Sequence, residues 1–276
     1  MKIGKKIRKH FSITTTRFNQ QNELRKIKEY RNSSLDQVAA AITSVKNKNF
    51  TKEDRQAFQN CENYRNELLQ DETLISYEIF GSDQTAKVKD ICKNAASSQE
   101  WCQFLYFLAK KTKASNILEI GTNLGISGSY TLESIRDYPN AKLTTMEGLP
   151  QLCKISGKQF ASLVPSDKYD IIEGLFDTTF PKLLTDAIQF DLLFIDGNHQ
   201  KEPTLHYFEA LKNKINSPAI FVFDDINWSS DMQEAWEIIK NDSGVNFTID
   251  LYKQGVVIID QQDSNQNVQF SLHLAY

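Results

Sequence analysis

The chain has 276 residues, with 32 Lys and Arg against 35 Asp and Glu, a formal net charge of −3, and 40% hydrophobic and 24% charged residues. This is the make-up of a globular protein of one or two domains and excludes a disordered chain. No apolar run approaches the roughly 18 residues of a bilayer-spanning helix, and no apolar segment follows the basic N-terminus as a signal peptide requires. The four cysteines, Cys61, Cys92, Cys102 and Cys153, form no C-x-x-C pair, so reduced thiols and a cytoplasmic location are expected.

Charge is unevenly spread: residues 1–31 hold ten Lys or Arg against Glu23 and Glu29 alone. An arm such as Met1–Phe11 can touch anionic lipid or nucleic acid, although a solvated terminus is the preferred reading. Helices are expected next, one with Leu35, Val38, Ala39, Ile42 and Val45 at helical spacing behind Ser33 and Ser34, another over Glu53 to Leu69. Tyr77–Gln84 contains Gly81 and is read as a plain connector in preference to a lid. Ser97-Ser98-Gln99-Glu100 reads as a capping box before an apolar stripe of Trp101, Phe104, Leu105 and Leu108. Residues 1–95 are thus expected to form a helical N-terminal extension able to lid a site, and residues 96–276 the domain that carries it.

From about residue 114 to 260 strands and helices alternate, the pattern of a parallel sheet covered on both faces. The first strand, Asn116–Ile120, breaks into Gly121-Thr122-Asn123-Leu124-Gly125-Ile126-Ser127, a turn that lets backbone approach a ligand at the opening of a helix. Later strands end on polar clusters: Ala141–Gly148 closes on Glu147, Tyr169–Ile172 runs into Glu173-Gly174-Leu175-Phe176-Asp177, Phe190–Ile195 ends at Asp196-Gly197-Asn198-His199, and Ala219–Phe223 ends at Asp224-Asp225. Ligands of open α/β sheets bind outside the carboxyl ends of the strands, so these clusters describe one site. Each alone can be a tight turn or a helix cap. Helices are expected at Glu202–Lys214 and at Asp231–Lys240, the second capped by Ser230 and Gln233. Phe247–Leu251 and Val256–Asp260 are joined by four residues and must be antiparallel. Val268–Leu274 alternates and reads as an added edge strand.

Glu119-x-Gly121-x-x-x-Gly125 resembles motif I of the class I S-adenosylmethionine (SAM) methyltransferases. The resemblance implies a Rossmann-like α/β fold with a seven-stranded sheet and an antiparallel last strand. It implies S-adenosyl-L-methionine as cofactor, with Glu119, Gly121, Thr122, Asn123, Gly125 and Ser127 at the methionine part, Glu147 on the ribose hydroxyls, and Gly174, Phe176 and Asp177 at the adenine. The missing G-x-G-x-x-G speaks against a nicotinamide dinucleotide.

The chain is also similar to small O-methyltransferases of the catechol and caffeoyl-CoA type, and to a bacterial group carrying D-G-N-H and D-D-I-x-W-S, here Asp196–His199 and Asp224–Ser229. The first likeness implies Mg2+ or another divalent ion on Asp196, Asp224 and Asp225, with Asp196 also among the cofactor contacts. Two departures weigh against the ion: Asp225 stands where that family has Asn, and His199 where it has a Lys base. Asp196 and Asp224 can equally end their strands by hydrogen bonding alone. An imidazole can take a hydroxyl proton near pH 7, so His199 and Asp196 are the candidate catalytic pair. Trp228 is an acceptor-pocket wall or a packing residue.

The expected function is SAM-dependent O-methylation of a small-molecule hydroxyl acceptor. The alternative is a SAM-fold binding or assembly module, or another metal-dependent reaction on this fold. Nucleic acid is not an expected partner, since the chain beyond the N-terminal arm is acidic; a homo-oligomer fits the reading.

Overall fold

The computed structural model describes residues 2–275, with side chains from residue 13 onward; the side chains of the basic arm Met1–Phe11 lie outside the described residues. Its elements run α1 (Lys2–Glu29), α2 (Ser33–Lys46), α3 (Lys52–Leu68), β1 (Leu74–Ser76), β2 (Thr85–Lys87), α4 (Val88–Ala95), α5 (Gln99–Thr112), β3 (Asn116–Ile120), α6 (Ile126–Ile135), β4 (Lys142–Glu147), α7 (Pro150–Leu163), β5 (Tyr169–Glu173), α8 (Phe176–Thr185), β6 (Phe190–Ile195), α9 (Lys201–Leu211), β7 (Ile215–Phe223), α10 (Ser230–Lys240), β8 (Phe247–Asp250), β9 (Gly255–Ile259) and β10 (Val268–Ser271). The hydrogen-bonded order of the large sheet is β10-β8-β9-β7-β6-β3-β4-β5, while β1 and β2 form a separate hairpin. β9 is antiparallel to both β7 and β8, as the four-residue link requires. The tail strand β10 pairs parallel with β8 and adds an eighth strand to the seven expected. No helix among the described residues is long and apolar enough to cross a membrane.

The chain divides into two compact units, residues 41–192 and residues 1–40 with 193–276. In the first, α5 is buried on every side, Trp101 through Ala109 without a break, so the expected stripe widens to the whole circumference. Phe50, Phe58 and Tyr130 gather around its Tyr106 and Phe107, with edge-to-face ring contacts at 5.0–5.9 Å such as Phe58 on Tyr106 and Phe107, and Tyr130 tilted on Phe58. Each such ring contributes about 1.5–3 kcal/mol when fully buried. The capping box expected over Ser97-Ser98-Gln99-Glu100 is not formed: the N-cap is Ser98, whose hydroxyl donates to Glu100 Oε2 at 3.0 Å and makes no cap bond. The box sits instead on α3, where Thr51 Oγ1 accepts from Asp54 N and Asp54 Oδ2 from Thr51 N. Asp54 is buried, and there its other oxygen accepts from Lys110 Nζ and Tyr106 Oη.

In the second unit Phe208, Phe221, Phe223 and Trp236 pack α9 and α10 on β7. The cap of α10 is Ser229, whose hydroxyl accepts from Met232 N, one residue before the expected Ser230. α1 was not individually legible, because its polar sequence has no apolar stripe; Ile13 and Ile27 are buried while Phe18 is exposed. His273 N donates to Gln20 Oε1, Arg17 Nε to His273 Nε2, and Asn32 Nδ2 to Asp260 and Asp263, which fasten the N-terminal segment to the C-terminal one.

Candidate functional site

The glycine turn is built from backbone conformations that side chains disfavour. Gly121 (φ 105°), Asn123 (φ 50°) and Gly125 (φ 75°) all lie at positive φ, and Gly125 caps α6. A Cβ at Gly125 would stand 2.7 Å from Ser156 Cβ and 3.0 Å from the Phe160 ring, so only glycine fits. Gly121 N and Thr122 N both donate to Met146 O, and Tyr64 Oη donates to Leu124 O, which pins the loop at both ends.

Glu119 braces this loop from beneath. It is fully buried, accepting from Ser127 Oγ (2.5 Å) and Thr145 Oγ1 (2.8 Å). Its partners are hydroxyls, not the loop amides. Burial pushes its carboxyl up to about 7, against the downward pull of the two hydroxyls.

Glu147 is the hinge between loop and second strand. Its Oε2 accepts from Asn123 N (2.8 Å) and its Oε1 from Leu149 N (2.9 Å); burial raises its pKa although these amides lower it. Its backbone oxygen accepts from Gly174 N, which brings the end of β5 alongside. Gly174 (φ 134°) leads into Phe176, half-buried at the start of α8, and the exposed Asp177.

The segment Tyr77–Gln84 is not a plain connector. The β1–β2 hairpin is clipped to α7 by Ser76 N donating to Gln151 Oε1 at 2.8 Å. It lays Phe80 on Gly148: a Cβ on that glycine would meet Phe80 Cζ at 2.8 Å and Leu175 Cδ2 at 3.9 Å. Phe80 remains 53% exposed and Leu175 36%, an apolar pair at the glycine that follows Glu147 in the chain. Sequence reasoning placed Leu175 in the cluster after the third strand and Phe80 in a loop read as a connector, but singled out neither. The available signal was a glycine directly after the strand-ending acid, which leaves room for a ring.

The other sequence-predicted residues lie in the second unit. After β6 the chain turns through Asn198 (φ 63°) and His199 (φ 39°), with His199 N donating to Gly197 O. This turn brings His199 Nε2 to 3.4 Å from Asp196 Oδ1, with the imidazole 35% exposed. Asn198 Nδ2 donates to Tyr207 Oη and holds the turn. Asp224 N donates to Ile195 O, so the ends of β6 and β7 adjoin. Non-glycine residues at positive φ, as at Asn198, His199 and Asp225 (φ 53°), are uncommon and cluster at functional sites.

The expected divalent-ion site does not fit these residues. Asp224 is buried, and both of its oxygens are engaged: Oδ2 by Lys253 Nζ at 2.5 Å and Oδ1 by Gln254 Nε2 at 3.0 Å. Lys253 Nζ also stands 3.0 Å from Asp225 Oδ1. Burial pulls the lysine pKa down, but Asp224 and Asp225 outweigh it and hold the ammonium above its usual value. Among the described residues no three His, Cys, Asp or Glu side chains are grouped to hold a metal. Sequence reasoning missed Lys253 because it lies 29 residues beyond Asp224, across a hairpin. Trp228, 75% exposed, is not a core residue.

Residues 118–226 match the methyltransferase domain family. The chain is 27% identical over 175 residues to a catechol O-methyltransferase of Niastella koreensis, which is 62% of this chain and 74% of that protein. It is 32% identical over 101 residues to a Mycobacterium sp. (strain JLS) protein named as an inferred O-methyltransferase, spanning only 44% of that protein's length. In fold it is similar to the methyltransferase PaMTH1 of Podospora anserina with S-adenosylhomocysteine (SAH) bound (TM-score 0.52, 22% identity, 62% of this chain and 81% of that one). It is likewise similar to the O-methyltransferase TomG of Streptomyces achromogenes in complex with SAM (TM-score 0.52, 20% identity, 60% and 82%). A glycine turn after the first parallel strand, an acid ending the second and an antiparallel hairpin closing the sheet, together with these matches, support a SAM-dependent methyltransferase domain over residues 118–226. Residues 118–226 thus carry a methyltransferase domain, and the proteins that the chain is similar to include small O-methyltransferases.

Proposed function

We propose that this chain methylates a hydroxyl oxygen of a small-molecule acceptor, with SAM held by residues 119–177 and the acceptor proton handled by residues 196–199. The observation that carries the reading is the pair of hydrogen bonds that ties Glu147 to Asn123 N and Leu149 N. They fix a buried carboxylate beside a glycine turn at the carboxyl ends of adjacent parallel strands, where this architecture binds nucleoside ligands. The residues fit the cofactor: a carboxylate accepts from a ribose diol, the turn at positive φ keeps its backbone bare enough to approach a ligand, and Phe80 and Leu175 offer apolar surface to an adenine face. Bound SAM supplies an electrophilic methyl group on a sulfonium sulfur.

Within the chain, Glu147 binds and orients the ribose, Gly121, Thr122, Asn123 and Gly125 bring backbone to the methionine part, and Gly174, Phe176 and Asp177 border the base. Glu119 acts indirectly by holding Ser127 and Thr145. His199 accepts the hydroxyl proton of the acceptor, and Asp196, 3.4 Å from its Nε2, stabilises the imidazolium that results. The names of the curated relatives support oxygen as the acceptor atom.

Calorimetric titration with SAH tests the cofactor half. Wild type is expected to bind, and Glu147→Ala to bind about 100-fold more weakly, the loss of hydrogen bonds to a charged acceptor. Turnover of phenols, catechols and aliphatic alcohols with methyl-labelled SAM tests the other half, with His199→Ala expected to lower kcat by about 10²-fold or more while SAH affinity stays. Absence of SAH binding by wild type would sink the proposal.

A further inference from the structure

We propose that Lys253 is a built-in cation that closes the Asp224–Asp225 pair to divalent metal, so that the acceptor side of this protein works without one. The inference deepens the proposed function and rests on it for the word acceptor, but the closure itself stands on the geometry of one hairpin.

Lys253 is not a surface lysine that happens to reach an acid. Its backbone oxygen accepts from Ile226 N, inside the loop that carries the two aspartates, and Asn227 Nδ2 donates to the neighbouring Tyr252 O at 2.8 Å. The turn is shaped from within by Leu251 N donating to Gln254 O, Lys253 N to Leu251 O and Tyr252 N to Asp250 Oδ1. Its root is fixed by Trp236, whose Nε1 donates to Asp250 Oδ2 at 3.0 Å and whose ring lies where a Cβ on Gly255 would be. The side chain is therefore delivered to the carboxylates by two layers of hydrogen bonds.

Mg2+ or Mn2+ needs carboxylate oxygens at about 2.0–2.2 Å and sheds water reluctantly. At Asp224 both oxygens are engaged by Lys253 and Gln254, and the ammonium contacts Asp225 as well. A divalent ion would have either to expel the ammonium from buried Asp224 or to stand beside it with like charges at contact distance. Of the three N–H donors of an ammonium, Asp224 and Asp225 take two. The side chain is 23% exposed, which leaves the third to an acceptor oxygen. A fixed charge on a hairpin thus does the electrostatic work that the resemblance would give to an ion.

The test is titration of the full chain with MnCl2, following free Mn2+ by electron paramagnetic resonance, for wild type, Lys253→Ala, Lys253→Arg and Asp224→Asn. SAH binding is measured beside it on each protein. Wild type and the Arg variant are expected to take up no Mn2+ below about 1 mM, the weak end of protein sites, whereas Lys253→Ala gains a site at least tenfold tighter. Wild type that binds one Mn2+ per chain, with Asp224→Asn losing it, overturns the proposal. So does a folded Lys253→Ala that stays silent; should that variant not fold, wild type against Asp224→Asn still decides. SAH binding reports on the Glu147 half, so its loss in wild type would sink the cofactor reading and leave the Mn2+ result to judge Lys253 by itself.

Discussion

The stretch from Glu119 to Asp177 and the stretch from Asp196 to Gln254 handle their carboxylates in opposite ways. In the first, Glu119 and Glu147 are buried without a cation and accept from hydroxyls and backbone amides; burial raises the pKa of both. In the second, Asp224 is equally buried but is met by an ammonium and an amide, and that ammonium also reaches Asp225. A carboxylate held only by neutral donors has no counter-charge within the chain, whereas one held by a lysine carries its own. The contrast separates a part of the chain shaped to receive hydroxyl donors from one that carries its own counter-charge.

The harshest way to break the first region is Gly125→Val. It places a β-branched residue at φ 75° with Ser156 Cβ 2.7 Å from the new Cβ, so a loss of about 3 kcal/mol or more in urea unfolding is expected, with SAH binding abolished. The matching probe of the second region is Gly255→Ala. Its methyl meets the Trp236 ring at 2.6–2.8 Å without a φ penalty, so about 1–3 kcal/mol should be lost, and the shifted hairpin should loosen the Lys253 contact and let Mn2+ in.

Acidity sharpens the comparison further. Glu119 has a folded-state pKa of about 7 against an ordinary 4.5, so the folded chain holds the proton that the unfolded chain gives up. That contribution to stability is complete below about pH 4.5 and is lost as pH rises through about 7. Unfolding curves between pH 5 and pH 8 (about 3 units, across that window) should show Glu119→Gln declining about 2–3 kcal/mol less than wild type. Glu147, shifted in the same direction, keeps a residual slope in the variant. The smallest effect is expected of Phe80→Ala: the ring is half-exposed, so the melting temperature should hold while SAH affinity falls about threefold to tenfold, the worth of one stacked ring. Unchanged affinity would return the hairpin to the role of connector.

Much of this was legible in the sequence because strand ends in an α/β sheet are written locally. Asn116–Ile120 followed by Gly121 and Gly125, and Lys142–Met146 followed by Glu147, each declare an apolar strand and the polar or flexible residue that must follow it. The β8–β9 hairpin followed from a link too short for any other connection. Cap positions were less secure, since the box over residues 97–100 does not form and α10 is capped by Ser229, not the adjacent Ser230.

The sequence alone determined the alternation of strands and helices from about residue 114 to 260, the glycine turn, Glu147 as the acid that ends the second strand, and the resemblance to the methyltransferase superfamily. Only the tertiary structure decided what each acid meets. Glu119 faces two hydroxyls, Glu147 two amides, and Asp224 a lysine 29 residues away, and Phe80 lies across Gly148 from a hairpin 68 residues earlier in the chain. The reason is physical: backbone conformation is governed by near neighbours, whereas the charge state and accessibility of a buried group depend on partners that chain folding brings from any distance.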